Sequence, residues 1–329
     1  MRTRTATMAD IPQLVPLLLA DAGARAMLDP KLWAVAADAE ARIGENLRAE
    51  LGPAARPGPR MLWLVAETGE SIVGVTHSMI IPPPGIYAVP TAPGLLLDDC
   101  FVAPAAPAGT AEALLLATEA ALQQAGAGDL IASCPKGGAW SALYARHGYE
   151  PVTDYLGKAG FEAQPAPDGV RSAVVGDVPA IVALSARHRR TLAELNPRFW
   201  PTHAEADARF GRWMQISLTL RDRDMLVAGP TGDVAGYIIA QPASPLHFPA
   251  AHDVKPLGTI DDFYAGDFAE VSAPGRGADA EGLLSAAETA FARRGITGAI
   301  AVCPTAWASK SALLERAGYR RTKVWLLKR

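Results

Sequence analysis

The chain contains an internal repeat, in which segments of the first half recur in the second half 167 to 170 residues later. Residues 28–33 (Leu-Asp-Pro-Lys-Leu-Trp) recur as 195–200 (Leu-Asn-Pro-Arg-Phe-Trp), and residues 142–149 recur as 312–319 with five of eight positions identical. The matches keep the same order along the whole chain. A period of this length is far longer than the unit of a solenoid, so each copy is predicted to be a domain in its own right.

A segment rich in Pro, Gly and Ala separates the two copies. Residues 159–169 show neither helical nor strand periodicity, which is typical of a linker. The sequence therefore predicts two domains, at residues 1–158 and 170–329. Half of the 329 residues are apolar, which is enough to form two cores of ordinary size.

Hydrophobic periodicity predicts the order β-α-α-β-β-β-α-β-α-β within the first copy, a mixed α/β (α+β) domain. The predicted segments from the hairpin onward are strands at 61–67, 72–81 and 95–102, a helix at 109–125, a strand at 130–133, a helix at 137–147 and a strand at 151–158. In the second copy, residues 259–265 are one candidate for the counterpart of strand 95–102. An ungapped alignment would instead place Asp267 opposite Asp98, and the sequence leaves both open.

Charge and cysteine content indicate which classes of partner to expect. A net charge of -3 and a pI near 6.1 argue against a nucleic-acid partner, because binding to phosphates needs clustered Lys and Arg. Cys100, Cys134 and Cys303 form no disulfide framework and have no metal-ligand spacing with His. No signal segment is recognisable, and no apolar run approaches the roughly 20 residues that cross a bilayer. We expect a cytoplasmic protein, monomeric or homodimeric, with no metal and no membrane or nucleic-acid partner.

Three local patterns resemble one known superfamily. A predicted buried strand ends in Val-Ala-Pro at 102–104 and is followed by a small-residue loop at 106–111 and a helix carrying Leu114 and Leu115. A later helix ends in Ala-Leu-Tyr-x-x-x-Gly-Tyr at 142–149, and a hairpin precedes the central strand. These patterns resemble the GNAT superfamily of acyl-CoA-dependent N-acyltransferases, here in tandem over essentially the whole chain.

The resemblance implies an N-acetyltransferase, or short-chain acyltransferase, that moves the acyl group from CoA to an amine of a small molecule. The amine would attack the thioester directly, with acetyl-CoA or another acyl-CoA as co-substrate and no metal. Each copy would then form a mostly antiparallel mixed sheet flanked by helices. The alternative is a non-catalytic acyl-CoA-binding or regulatory protein built from two decayed acyltransferase domains.

The loop before the third helix would hold the pyrophosphate of CoA. Backbone N–H groups at a helix N-terminus bind phosphate, and small residues let the phosphate approach. The resemblance assigns this role to Ala108, Gly109, Thr110 and Ala111, and assigns the pantetheine arm to the strand edge at Phe101 and Val102. The pattern is imperfect: Ala106 stands where the family has a basic residue or Gln, and Pro107 lacks an N–H donor. In the second copy the loop is residues 275–280, where Asp279 would repel phosphate if it pointed inward. The alternative is an ordinary N-terminal helix residue, since carboxylates are stabilised in a first turn.

Tyr144 distinguishes the two copies, because Leu314 occupies the matching position in the second copy. By resemblance, Tyr144 falls on the tyrosine that protonates the departing CoA thiolate. The alternative is a core aromatic residue on an amphipathic helix. Gly109 and Tyr144 together favour the first copy as the acyl-CoA site.

Acidic and aromatic residues supply the other candidates. An ammonium group with a pKa near 10 must lose a proton before it attacks a thioester, so Asp98 or Asp99 in the central strand is a candidate general base. Hydrogen bonding of these carboxylates to a neighbouring loop is the alternative. By resemblance, Trp33 and Trp200 lie near the wall of the acceptor site and could bind substrate, although a packing role for both is the other interpretation.

Overall fold

The computed structural model describes residues 1–52, 59–165, 167–268, 270–272 and 277–329. The elements of the first half are β1 (Arg2–Thr5), α1 (Ile11–Leu28), α2 (Ala39–Leu51), β2 (Met61–Thr68), β3 (Ser71–Ile80), β4 (Gly94–Leu96), β5 (Phe101–Val102), α3 (Thr110–Gln124), β6 (Leu130–Pro135), α4 (Ser141–Arg146) and β7 (Tyr149–Ala159). Those of the second half are β8 (Val170–Ser172), α5 (Val178–Leu195), α6 (Ala206–Ser217), β9 (Asp224–Ala228), β10 (Gly236–Pro242), β11 (Leu257–Ala265), α7 (Ala278–Arg293), β12 (Gly298–Pro304), α8 (Ala308–Arg316) and β13 (Arg320–Lys328).

The two halves repeat the same order of elements, and the predicted mixed α/β fold is confirmed. Within each half the strands pair mostly antiparallel, with one parallel pair, β4 with β6 and β11 with β12. The main departure in the first half is at residues 95–102, where the predicted strand divides into β4 and β5. The four residues between them, 97–100, carry the acidic pair.

The start of each half is stabilised by the same ion pair. Arg4 Nη1 donates to the Asp10 carboxylate over 2.8 Å, and Arg171 Nη1 donates to the Asp177 carboxylate over 2.7 Å. Each aspartate also accepts the N–H of the residue three positions earlier, so it caps the turn before α1 or α5. The sequence repeat is therefore also a repeat of local contacts.

The halves exchange their last strands. Within the described residues, one sheet of 13 strands runs in the order β1-β2-β3-β4-β6-β13-β7-β12-β11-β10-β9-β8, with β5 paired to β3 beside it. Strand β13 of the second half lies between β6 and β7, and β7 of the first half lies between β13 and β12, all antiparallel. The predicted division into units at 1–158 and 170–329, with a linker at 159–169 of which Ala166 lies outside the described residues, stays a prediction. The structure adds that the sheet crosses this division.

Two equivalent lysines fasten the exchanged strands. Lys158, at the end of β7, donates to both carboxylate oxygens of Glu288 on α7 over 2.8 and 2.7 Å, and its ammonium lies 5.6 Å from the ring centre of Tyr319. Lys328, at the end of β13, donates to one carboxylate oxygen of Glu119 on α3, whose other oxygen accepts from the Tyr149 hydroxyl, and its ammonium lies 5.5 Å from the ring centre of Tyr149. Apolar residues of β13, Val324 and Leu326, also pack in the core of the first half. Each half is thus held by a strand and a charge from the other.

The sheet opens at the split between β4 and β5. Strand β4 pairs with β6 only over Gly94–Leu96, after which β5 pairs with β3 and no longer with β6. The separation leaves a wedge between neighbouring parallel strands. Residues 97–100 lie at its mouth.

Helix α1 is unusually apolar. The segment Met8–Leu28 has 21 residues with a mean hydropathy of 1.2, so by length and composition alone it could cross a membrane. This differs from the expectation that no run of the chain approaches that length. About a third of the segment is buried here, including Asp21 and Arg25. Core helices and signal sequences share this composition, so the finding by itself assigns no membrane role.

The ion pair between Lys158 and Glu288 predicts an effect on the stability of the fold. Glu288→Ala leaves the partly buried Lys158 ammonium without its carboxylate, and we expect the free energy of unfolding to fall by about 1–3 kcal/mol. Urea unfolding followed by circular dichroism measures this loss. Glu281→Ala on the same helix removes an exposed carboxylate and should cost less than about 0.5 kcal/mol. Equal losses in the two variants would show that the pair does not fasten β7.

Candidate active site

A cavity of about 280 Å³ occupies the wedge in the first half. Helix α1, the segment between β4 and β5, strand β6 and helix α4 contribute its walls. Of the residues predicted for the site, Asp98, Phe101, Val102, Ala111 and Tyr144 line it. The cavity therefore joins the strand edge expected for pantetheine to the first turn of α3 and to the candidate acid.

The loop before α3 presents small residues at the helix N-terminus. Gly109 has φ 81°, a left-handed conformation that favours glycine, and it is the cap residue of α3. Ala108 and Gly109 are exposed. The Thr110 hydroxyl donates to the carbonyl of Pro107 over 2.6 Å, so this side chain bonds back into the loop. The positive end of the 15-residue helix α3 adjoins the cavity at Ala111.

In the second half the corresponding helix terminus is filled by a side chain of the protein. Asp267 Oδ2 accepts the backbone N–H groups of Asp279 and Ala280 over 3.1 and 3.2 Å. A Cβ at Gly277 would lie 1.8 Å from that oxygen, so the carboxylate rests directly against the loop. Gly275 and Arg276, predicted as part of this loop, lie outside the described residues. The Asp267 carboxylate thus accepts the hydrogen bonds that a phosphate accepts at an open helix N-terminus.

The strand register identifies the counterpart of Asp267 in the first half. Strand β10 places Gly236 opposite Ala265, as β3 places Gly74 opposite Val102. Counting onward, Asp267 corresponds to Pro104, which carries no carboxylate. The alternative left open by the sequence is settled in favour of residues 259–265, which lie within β11.

A buried lysine of the second half bonds to the backbone of β11. Lys310 on α8 is 1% exposed and donates from Nζ to the carbonyl of Phe263 over 2.9 Å. Burial lowers the pKa of Lys310. By the 170-residue repeat it stands where the first half has Trp140, which lines the cavity, and Leu314 stands where the first half has Tyr144. The second half has therefore replaced both features with its own side chains.

Tyr144 is fully buried, and its hydroxyl forms no hydrogen bond with any residue that the structure describes. The Cys100 thiol is near enough to influence its pKa, but the geometry between them is not that of a hydrogen bond. Burial, together with this neighbour, raises the pKa of Tyr144 well above its usual value, so the phenol keeps its proton at neutral pH. A buried donor without an acceptor is costly, which is consistent with a group that meets its partner only when a ligand enters.

Asp98 is held by a residue from the other half. Its Oδ2 accepts from Lys323 Nζ of β13 over 2.6 Å, and its Oδ1 accepts from the Ser133 hydroxyl over 2.8 Å. Both charged side chains are 2% exposed. The strand exchange thus delivers the cation that balances this carboxylate.

Asp99 lies in a different network, behind the cavity. It accepts from His77 Nδ1 over 2.9 Å, while His77 Nε2 lies 3.2 Å from a carboxylate oxygen of Glu50. Trp63 stacks on His77 at 3.7 Å between ring centres and donates to Glu50 over 2.6 Å. Burial opposes the charge on His77, but the Asp99 and Glu50 carboxylates outweigh burial and raise its pKa to about 9. Burial would likewise raise the pKa of Asp99, yet the imidazolium lowers it.

Asp21 and Arg25 on α1, which belong to none of the sequence motifs, also line the cavity. Arg25 pairs with Asp21 and donates to the carbonyl of Asp98 over 2.9 Å and to His252 over 3.0 Å. Burial raises the pKa of Asp21 to about 7; Arg25 opposes this rise, and the Asp99 and Asp98 carboxylates add to it. The available signal was two charges four positions apart on the apolar face of α1.

The two tryptophans proposed for the acceptor site are buried. Trp33 is 1% exposed and packs edge-on against Phe248 and His252, with ring centres at 5.0 and 5.2 Å. Trp200 is 8% exposed and packs against Phe199 at 4.8 Å. Neither is among the residues lining the cavity as the structure describes it. Their contact with substrate stays a prediction.

The His77 network predicts a pH dependence of stability. The folded-state pKa of about 9 lies above the ordinary value of 6.5, so the protonated ring stabilises the fold below pH 6.5 and this contribution is lost as the pH rises through 9. Urea unfolding between these two pH values should show a fall in wild-type stability that is largely missing in His77→Gln. His203→Gln, outside the network, serves as the control and should keep the wild-type slope. An unchanged slope in His77→Gln would rule out a charged His77.

Comparisons with known proteins identify the fold. No family model and no curated protein matches the chain. Among solved structures, a GCN5-related N-acetyltransferase from Sphaerobacter thermophilus is similar over 99% of this chain and 95% of its own, with a TM-score of 0.57 and 18% identity. A tandem GNAT protein from the clavulanic acid biosynthesis pathway matches over 99% and 97%, with a TM-score of 0.51 and 16% identity.

A third similar structure is the GCN5-related glucosamine N-acetyltransferase region of a fungal multi-domain GH3 β-N-acetylglucosaminidase. It has a TM-score of 0.56 and 14% identity, and the match covers 99% of this chain and 38% of that chain. Identities this low show the fold alone. This chain therefore has the fold of the GCN5-related N-acetyltransferases, arranged in tandem.

Proposed function

We propose that this protein is an acyl-CoA-dependent N-acyltransferase that moves an acetyl or other short acyl group to an amine of a small molecule. One observation carries the proposal: a single cavity joins an open strand edge and a helix N-terminus to a buried phenol whose hydroxyl has no partner among the described residues. A tandem GNAT fold containing this arrangement supports acyl transfer.

One acyl-CoA would bind per chain, in the first half. The pyrophosphate would accept hydrogen bonds from the backbone N–H groups of Ala108, Gly109 and Ala111, while the Thr110 N–H donates to the Pro107 carbonyl over 3.2 Å. The pantetheine amides would pair with the strand edge at Phe101 and Val102. In the second half Asp267 already receives the corresponding N–H groups, and Lys310 already uses a carbonyl of the strand. A second CoA would have to displace both contacts.

Direct attack is the mechanism that the cavity favours. The neutral amine attacks the thioester carbonyl carbon, the C–S bond breaks, and the thiolate takes its proton from the Tyr144 hydroxyl. Burial raises the pKa of both thiols that line this cavity, Cys100 and Cys134, so each remains protonated and is a poor nucleophile. A covalent acyl-cysteine is therefore disfavoured.

A non-catalytic acyl-CoA-binding protein is the second candidate, favoured by the irregular loop with Ala106 and Pro107. Release of free CoA thiol, measured with acetyl-CoA and a broad panel of primary amines, separates the two functions. Turnover supports the enzyme. Tight binding of acetyl-CoA with no release above the blank across the panel supports the binding protein.

The assignment of CoA to the first half predicts unequal effects of added charge. Gly109→Asp places a carboxylate at the phosphate position, and we expect the affinity for CoA to fall at least about tenfold, equivalent to about 1.4 kcal/mol. Ala278→Asp at the matching position of the second half should have much less effect, because Asp267 already occupies that terminus. Isothermal titration calorimetry gives both the affinity and the stoichiometry.

Gly109→Asn is the matched control, because Asn tolerates the left-handed conformation as Asp does but adds no charge. Its affinity for CoA should stay close to wild type. Equal losses in the Asp and Asn variants would assign the effect to backbone strain. A loss restricted to Ala278→Asp would move the site to the second half.

The variant Tyr144→Phe tests whether the Tyr144 hydroxyl protonates the departing thiolate. Without the hydroxyl the turnover number should fall by roughly one to three orders of magnitude, while the affinity for CoA and the thermal stability change little because the ring remains. Steady-state kinetics, with calorimetry for binding, measure the two effects separately. Leu314→Tyr alone should confer no activity on the second half. Full turnover in Tyr144→Phe, with chemistry rate-limiting, would make Tyr144 a packing residue.

A further inference from the structure

Two titratable groups line the cavity from different helices, and the Cys100 thiol lines the same cavity. Asp21 on α1 and Tyr144 on α4 both contribute to its wall. Beyond the effect of burial, the charge of Asp21 raises the pKa of the Cys100 thiol, and Cys100 in turn raises the pKa of Tyr144. The cavity thus has a carboxyl group and a phenol on different elements.

Asp21 differs from Asp98 and Asp99 in having one carboxylate oxygen that accepts no hydrogen bond from a described residue. Both oxygens of Asp98 accept hydrogen bonds, from Ser133 and Lys323, and Asp99 accepts from His77. Asp21 uses Oδ2 for Arg25, while no hydrogen bond from a described residue reaches Oδ1. An incoming ammonium therefore finds one carboxylate oxygen available on α1.

The charged surroundings keep Asp21 poised near neutrality. Burial raises its pKa to about 7, Arg25 on the same helix opposes the rise, and the carboxylates of Asp99 and Asp98 add to it from the facing strand segment. Cys100 and Tyr144 face the same space as neutral groups, since burial raises the pKa of each.

Behind Arg25, His252 is also neutral, because burial lowers its pKa to about 3. A carboxylate that titrates near neutral pH can take a proton and return it to solvent in each cycle.

The second half lacks this group. By the 167-residue repeat, the counterpart of Asp21 is His188, whose Nδ1 lies 3.3 Å from Asp262. Burial lowers the pKa of His188. The half in which Lys310 bonds to β11 thus has a histidine where the first half has Asp21.

We propose that Asp21 is the general base of the transfer, a role that rests on the proposed function. Asp21 takes one proton from the acceptor ammonium, R–NH3⁺, giving the neutral amine and a carboxylic acid. The amine nitrogen bonds to the thioester carbonyl carbon, and the C–S electron pair leaves on sulfur, which takes the proton of Tyr144. The second amine proton restores the phenol, and Asp21 releases its proton to solvent, so one proton is released per amide formed.

Amines of different basicity test this role. The probes are ethylamine, which is an ammonium ion at pH 7, and trifluoroethylamine, which is similar in size but largely neutral there. With ethylamine and acetyl-CoA, wild-type kcat/KM should rise with pH through an inflection near 7. Asp21→Asn should lose this inflection and lower kcat by about 100-fold or more. With trifluoroethylamine the two proteins should differ little, because no proton need be removed before attack.

Controls keep folding and function separate. Asp21→Glu retains a carboxylate and should recover part of the rate and an inflection, and Asp38→Asn, at an exposed site, should leave the wild-type profile unchanged. Calorimetry should show that Asp21→Asn binds acetyl-CoA as the wild type does. Carboxyl ¹³C NMR titration of the wild type, with Asp21→Asn to assign the signal, should show a titration near pH 7 whether or not a variant is active.

The outcomes distinguish two kinds of failure. Wild-type turnover combined with an unchanged Asp21→Asn profile, or an Asp21 signal titrating near pH 4, overturns the role of Asp21 and leaves the acyltransferase standing. No thiol release by the wild type with either amine or with the wider panel overturns the acyltransferase, and the role of Asp21 with it.

Discussion

The exchange of β7 and β13 at the centre of the sheet is the constraint on which the rest of the structure depends. Strand β7 of the first half pairs on both edges with strands of the second half, β13 and β12. Strand β13 of the second half pairs on both edges with strands of the first half, β6 and β7. A central strand must satisfy its N–H and C=O groups on two edges, so neither half could release its strand without exposing unpaired backbone. The fastening of Lys158 to Glu288 and of Lys328 to Glu119 adds charge pairing at the same junction.

The exchange also reaches the proposed site. Lys323 of β13 neutralises Asp98 in the wall of the first-half cavity, so a residue near the C-terminus completes a cleft built from the N-terminal half. A buried carboxylate without that cation would be strongly destabilising. The second half therefore contributes to the first-half cavity, whether or not its own cleft has a ligand.

The two halves differ at three equivalent positions around the proposed site. In the second half Asp267 satisfies the N-terminal N–H groups of α7, Lys310 bonds to the backbone of β11, and Leu314 replaces the phenol. In the first half Pro104 and Trp140 stand at the positions of Asp267 and Lys310, and Tyr144 keeps a hydroxyl without a partner among the described residues. These differences support the proposal that the first half binds the ligand.

Sequence by itself determined the repeat, the order of elements and the resemblance to the GNAT fold, because periodicity and local motifs are short-range properties. It also indicated five residues that line one cavity in the structure, because the motifs of a fold mark positions that surround its site. The strand exchange was decided only by tertiary structure, because a strand of a given pattern pairs equally well with its own half or with the other. The filling of the α7 terminus by Asp267 and the near-neutral pKa of Asp21 were decided there too, since both arise from groups that meet only across loops, strands and helices distant in the chain.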